Sequence, residues 1–231
     1  MVVLSSGLEY RCSQPLNLYK TAALEGLVTQ AAVGRQLRLA PAQPTATAWA
    51  VALCEDDYPG WISAADGVTL TPAKHAYQPI CLDRQALAPR LPAVIAFTQR
   101  AMATPNTYLW GGTVGPNFDC SGLMQAAFAS VGIRLPRDSY QQEAFTQPIG
   151  WDELIPGDLV FFGSPERTQH VALYLGEGRY IHSSGKDQGR NGIGIDSLED
   201  LSHPVSAAYH RQLRRPGRIV ASYCPRPVDQ G

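Results

Sequence analysis

The sequence has no long apolar run, no block of like charge and no internal repeat. Nothing in it approaches the ~18 consecutive apolar residues of a membrane-spanning helix. Its 19 Lys and Arg against 20 Asp and Glu leave a formal net charge of −1, which removes the electrostatic case for a dedicated binder of nucleic acid or anionic membrane. Closely spaced Cys and His pairs of the C-x-x-C or H-x-x-x-H kind are missing, so neither a metal nor another cofactor is expected. The first residues, Met1 to Arg11, lack the basic start and the apolar stretch of a secretory leader. Five cysteines, an odd number without framework spacing, agree with a reducing compartment. The expectation is a cytoplasmic protein.

What is present is an ordinary globular composition, 45% apolar and 17% charged, on 231 residues, a length that accommodates two domains. The most informative stretch is Asn106 to Gln125, where Cys120 stands between Asp119 and an apolar run. A helix beginning at Cys120 would aim free backbone N–H groups and its positive dipole end at the sulfur, favouring thiolate. Asp119 suits the N-cap, and the preceding Gly and Pro residues suit a sharp turn. A nucleophilic cysteine needs a base. Gln169 to Gly176 alternates as a half-buried strand carrying His170, and Tyr180 to Gly185 reads as its hairpin partner, turning at Glu177-Gly178 and carrying His182. Two neighbouring strands can set His170 beside Cys120 with His182 behind it as an orienting group.

Other cysteines and histidines read more plainly. Cys12, Cys54, Cys81 and Cys224 are expected to be small buried apolar residues, and His75, His203 and His210 structural or exposed. The stretch Gly189 to Gly194, which contains a Gly-Ile-Gly, follows no strand-to-helix signature and reads as a loop, not a phosphate cradle.

Tyr108-Leu-Trp-Gly-Gly, Asp119-Cys-Ser-Gly, Pro156-Gly-Asp-Leu-Val-Phe-Phe, His170-Val-Ala-Leu-Tyr-Leu-Gly and Ile181-His-Ser, in this order, resemble the NlpC-type cysteine peptidases that cut bacterial cell-wall peptides. The resemblance runs over about residues 91 to 223. It implies an α+β fold, a papain-like catalytic domain with Cys120 as nucleophile, His170 as base and His182 as third member. The hydroxyl of Tyr108 becomes a candidate oxyanion donor beside the Cys120 backbone N–H, against the alternative of a core aromatic beside Trp110.

The first part of the chain supports a second module. Leu16-Asn-Leu-Tyr, Leu27 to Val33, Gln36 to Leu39, Ala48 to Cys54 and Gly60 to Ser63 are short runs split by turns, the rhythm of a small β-barrel. Leu16-Asn-Leu-Tyr followed by Tyr58-Pro-Gly-Trp-Ile resembles the SH3-like domains that accompany this peptidase family. The expected organisation is an SH3-like β-barrel over 1–76, a linker over 77–92 and the peptidase domain over 93–231. Beyond the linker, helices are expected near 91–102, 120–131 and 207–213, and strands near 158–163, 169–175, 179–183, 192–196 and 218–222.

Family members with this domain pair and no export signal resemble recycling enzymes that split the γ-D-glutamyl–diamino acid bond of short murein stem peptides with a free N-terminal L-Ala. That resemblance makes Tyr58, Asp119 and Ser139, with Ser121 beside them, the candidate substrate residues. Glu55, Asp56 and Asp57 are either added charge for the ammonium group or a solvated acidic turn. The expected partner is the stem peptide alone, with no nucleic acid or membrane, and the chain is expected to act as a monomer. Two rival readings are a cysteine amidase or acyltransferase working on another acyl group, and a murein-binding module with an inert second domain.

Overall fold

Alternating apolar positions in the first eighty residues become strands with one face on a common core. In the computed structural model, which describes residues 4–5 and 7–225, these are β1 (Glu9–Cys12), β2 (Leu16–Tyr19), β3 (Leu27–Ala31), β4 (Gln36–Leu39), β5 (Ala48–Leu53), β6 (Pro59–Ser63) and β7 (Leu70–Pro72). A single helical turn, α1 (Ala64–Gly67), is capped by the Ser63 hydroxyl, which accepts from the Asp66 N–H. The strands form one antiparallel sheet in the order β3-β2-β6-β5-β4-β1-β7. Tyr10, Cys12, Leu16, Leu18, Leu37, Val51, Leu53 and Ile62 fill its interior.

The acidic run after β5 is not a solvated turn. Glu55 is buried and pairs with Arg35, Asp56 lies 3.3 Å from the same guanidinium, and Asp57 lies 2.5 Å from Arg38. Asp57 adopts the left-handed conformation (φ 57°) that closes the β5–β6 hairpin. Two arginines therefore neutralise most of the charge this run seemed to offer.

By its internal contacts the chain divides into two units, Met1–Ile80 with Cys224–Gly231, and Cys81–Tyr223. Within the second, residues 84–90 form α2 (Arg84–Leu87), capped by Asp83, and a 3₁₀ turn that leads into α3 (Leu91–Ala103). Then come α4 (Cys120–Ala129), α5 (Ser139–Phe145), β8 (Gln147–Pro148), β9 (Leu159–Gly163), β10 (Thr168–Gly176), β11 (Arg179–Ser184), β12 (Gly192–Ser197), α6 (Pro204–His210) and β13 (Leu213–Arg218). The sheet order is β12-β11-β10-β9-β13-β8. Eight of the ten residues of α4 are buried, against α3 on one side and β10 and β11 on the other, so it is the central helix of an α+β unit. Its end follows the expected glycine stop, with Gly132 at φ 79° and the Ile133 N–H donating back to the Phe128 carbonyl.

The last two elements lie earlier than expected. The helix is 204–210 because Pro204 occupies its first position, and the strand is 213–218 although it contains Pro216-Gly217. The short β8 pairs only with Gly217 and Arg218, so Pro216 sits where a full hydrogen-bond ladder is not required.

The cysteines divide differently from the expectation. Cys81 and Cys224 are disulfide-bonded, while Cys12, Cys54 and Cys120 are free and buried. Reading Cys81 and Cys224 as small apolar residues is thereby corrected, and the cysteine argument for a reducing compartment falls with it. No helix among the described residues is long and apolar enough to cross a membrane.

Candidate active site

Local chemistry starts α4 at the cysteine. Asp119 is extended and its carboxylate accepts from the Gly122 N–H at 2.6 Å and the Gly111 N–H at 2.9 Å, satisfying donors at the helix start. The turn 109–118 folds tightly onto this first turn. A Cβ on Gly122 would lie 2.0 Å from the Gly112 carbonyl oxygen, and one on Gly112 2.5 Å from that of Asn117, so both positions require glycine. Beneath, the buried Arg137 donates to both Asp119 oxygens, at 2.6 and 3.2 Å, and to the Ser121 hydroxyl at 2.9 Å. Gln142 of α5 reaches the Ser121 and Pro136 carbonyls. Asp119 and Ser121 thus anchor the helix start through a buried ion pair. Sequence reasoning gave Arg137 no role, although Asp119 needed a buried cation.

The base comes from the sheet. The β10–β11 hairpin turns at Glu177-Gly178 as expected, with both residues at positive φ (53° and 67°), the geometry that matches strand twist. It places His170 Nε2 2.7 Å from His182 Nδ1. On the far side His182 Nε2 lies 2.7 Å from an Asp196 carboxylate oxygen on β12. Ser183, next to His182, donates to the Phe118 carbonyl at 2.7 Å and ties β11 to the segment entering Cys120. Tyr209 of α6 stacks on His170 with ring centroids 4.4 Å apart and meets His182 edge-on. Its hydroxyl is held by Ser184 at 2.7 Å.

Asp196 and Tyr209 were missed in the sequence. The strand expected near 192–196 forms as β12, with Gly192, Gly194 and Asp196 inward, so only the part of the 189–194 loop reading that covers Gly192-Ile-Gly is corrected. No local signal marks Tyr209, which reaches the histidines only through the packing of α6.

Burial, more than the helix dipole, governs the thiol. Desolvation, then the neighbouring Asp119 carboxylate, push Cys120 up to about 12, while backbone hydrogen bonds from Val171 and Ser121 and the charge of Arg137 pull the other way. The expected thiolate is therefore a thiol at neutral pH, with its sulfur against the residue that follows His170. His170 is held well below the usual imidazole range by burial and then by His182. His182 is lowered by burial, with Asp196 opposing. The resting pair is a neutral thiol and a neutral imidazole. The half-buried Tyr108 is raised chiefly by burial, so its hydroxyl keeps its proton and can donate. Trp110 beside it in sequence is exposed, which removes the shared-core alternative.

Among the substrate residues, Ser139 opens α5 after the Asp138–Gln141 capping box, with no hydrogen-bond partner for its hydroxyl among the described residues. Tyr58 belongs to the first unit, immediately before β6, where its N–H donates to Asp56 Oδ1 at 3.2 Å.

Residues 105–214 match the model of the NlpC/P60 family, and residues 18–66 match that of the bacterial dipeptidyl-peptidase SH3 domain. The chain carries an NlpC/P60 domain and, before it, a bacterial SH3 domain. Over 79 residues it is 42% identical to the γ-D-glutamyl-L-lysine dipeptidyl-peptidase of Bacillus subtilis, covering 33% of this chain and 27% of that one. Over 106 residues it is 39% identical to the "Probable endopeptidase p60" of Listeria innocua, covering 46% and 21%. The matches thus span about a fifth to a quarter of these relatives' lengths. A crystal structure of an NlpC/P60 family protein from Bacillus cereus aligns over 92% of this chain and 64% of its own, with a TM-score of 0.50 and 22% identity, a likeness of fold. The NlpC/P60 match encloses Tyr108, Cys120, His170, His182, Asp196 and Tyr209.

Proposed function

We propose that this protein is a cysteine endopeptidase that hydrolyses the γ-D-glutamyl–diamino acid bond of short murein stem peptides with a free N-terminal L-Ala. The observation that supports the chemistry is Cys120 at the start of a buried helix that packs on β10, the strand carrying His170, whose imidazole is hydrogen-bonded to that of His182. The observation that favours this bond is the pairing of the NlpC/P60 domain with the SH3 domain named for bacterial dipeptidyl-peptidases.

In this reading the scissile carbonyl settles against the Cys120 N–H and the Tyr108 hydroxyl, which stabilise the developing oxyanion. As the sulfur attacks, its proton passes to His170, and the imidazolium then protonates the leaving amine of the diamino acid. Water, deprotonated by His170, hydrolyses the acyl-enzyme and restores the thiol. Ser139 is the acceptor we assign to the substrate ammonium group, whereas Asp119 is committed to Arg137 and to the helix start. The disulfide favours a compartment in which such bonds persist, so the proposal is for the peptide chemistry and not for a cytoplasmic cycle.

The test is incubation with L-Ala-γ-D-Glu-diaminopimelate and mass-spectrometric detection of the free diamino acid, with Cys120→Ala as control. Release by wild type alone supports both nucleophile and bond. N-acetylation of the peptide should abolish release, and retained cleavage would reject recognition of the amine. Whether the first unit takes part is read from Tyr58→Ala, which should impair free-amine substrates more than thermal stability.

A further inference from the structure

Behind the two histidines lies a group for which that mechanism has no use. Asp196 is buried, yet its carboxylate receives three side chains: His182 Nε2 at 2.7 Å and Arg190 at 2.8 Å on one oxygen, and the Ser206 hydroxyl at 3.1 Å on the other. His203 Nδ1 stands 3.4 Å from the second oxygen but already accepts the Val205 N–H. Room for Arg190 is made by Gly194, which lies opposite His182 in the β11–β12 register. A Cβ there would come within 2.1 Å of the Arg190 guanidinium. The pattern of small residues on β12 thus lets an arginine lie over the strand and reach the carboxylate.

We propose that Asp196 is a positioning residue that sets the proton on Nε2 of both imidazoles and so leaves the Nδ1 lone pair of His170 as the base offered to Cys120. The assignment deepens the peptidase reading and rests on it for the roles of Cys120 and His170. Each step follows from donor and acceptor capacity. Burial opposes the ionised form of Asp196, but its bonds to His182 and Arg190 outweigh that cost and hold the carboxyl below its usual range, so it stays ionised. A carboxylate only accepts, so His182 Nε2 must carry the hydrogen of the 2.7 Å bond. His182 is neutral, so its Nδ1 is a bare acceptor, and the hydrogen of the second 2.7 Å bond belongs to His170 Nε2. His170 is neutral too, and its one remaining lone pair is on Nδ1. Without the carboxylate, nothing distinguishes this arrangement from its reverse, in which His182 donates through Nδ1 and the His170 proton moves to Nδ1, turning an N–H instead of a lone pair toward the thiol.

The experiment reads the tautomers directly, by imidazole ¹⁵N chemical shifts of the full chain near pH 7.5. Wild type should show Nε2–H on both His170 and His182, and Nδ1–H on either would overturn the proposal with no variant needed. In Asp196→Asn, whose amide can donate to His182, both rings should shift toward Nδ1–H. Cleavage of L-Ala-γ-D-Glu-diaminopimelate should then fall roughly 10²–10⁴-fold in kcat with little change in KM. Alkylation of Cys120 by iodoacetamide should slow in parallel, and a variant with wild-type tautomers and an undiminished alkylation rate would refute the role. Asp196→Glu, which keeps the acceptor, should recover Nε2–H tautomers even where its longer side chain lowers the melting temperature. Because shifts and alkylation need no substrate, expected tautomers in a wild type that cleaves no stem peptide would uphold the relay while rejecting the substrate.

Discussion

Cys12 and Cys54 in the first unit and Cys120 in the second are all free, all buried and all poor acids, pushed up to about 11, 12 and 12. Desolvation is the main cause in each case. What separates them is company. Cys12 lies in the apolar core of the sheet and Cys54 beside Arg38 and Glu9. Cys120 opens a helix against the strand that carries His170. The lesson is that a nucleophilic thiol here is defined by a base able to receive its proton, and not by an intrinsically low acidity constant. A buried neutral pair stays unreactive until a carbonyl arrives.

That contrast can be broken most severely at the nucleophile. Cys120→Ala should lower peptide cleavage by at least ~10³-fold, as loss of a triad member does elsewhere, whereas Cys12→Ala and Cys54→Ala should leave kcat/KM within a factor of about two. Steady-state kinetics on purified variants decides it, and a comparable loss from Cys12→Ala would end the distinction. Next in size is the disulfide. Cys81→Ser should destabilise the protein by about 2–5 kcal/mol in denaturant titration, because the bond closes a long loop of chain. The free thiols, by contrast, should show no effect of reductant. Gly122→Ala should cost about 1–3 kcal/mol or more, since its Cβ meets backbone and not a side chain that can move aside. An unchanged melting temperature would mean that the turn over α4 can move away to admit the added methyl group.

A smaller effect sharpens the same point through pH. His170 and His182 have folded-state affinities for protons below the unfolded value of 6.5, so the unfolded chain binds more protons as pH falls. Their contribution to stability is complete above about pH 6.5 and is lost as pH drops below it. Activity should likewise hold level from about pH 6.5 to 9, because the base is already neutral and the thiol is still protonated across that window. A kcat/KM that climbed steeply between pH 7 and 9 would show that pre-formed thiolate is the reacting species, and the neutral-pair account would fail.

Much of the site was legible because its parts are locally encoded. An Asp before Cys-Ser-Gly caps a helix, a Glu-Gly between two alternating runs makes a two-residue hairpin, and these two signals alone put Cys120, His170 and His182 on rigid elements. Four features were not legible for physical reasons. Arg137 is eighteen residues from Asp119, and only folding shows that it is the buried counter-ion. Pro216-Gly217 carries turn chemistry, and only an almost unpaired neighbour lets it be strand. The strand near 192–196 was legible, but only the register shows that Asp196 stands behind His182 and that Gly194 leaves room for Arg190. The acidic run 55–57 looks solvated until Arg35 and Arg38 are seen beneath it.

The sequence by itself determined the strand and helix periods, the caps and turns that bound them, which cysteine opens a helix and which histidines lie on strands. These depend on residues a few positions apart, where steric and hydrogen-bonding preferences act without the rest of the chain. The tertiary structure alone decided that Asp196 stands behind His182, that Tyr209 stacks on His170 and that the Cys120 thiol keeps its proton. Those properties arise from strand register, from elements packed across the sheet and from the removal of water, and all three are set only when distant segments close over the same point.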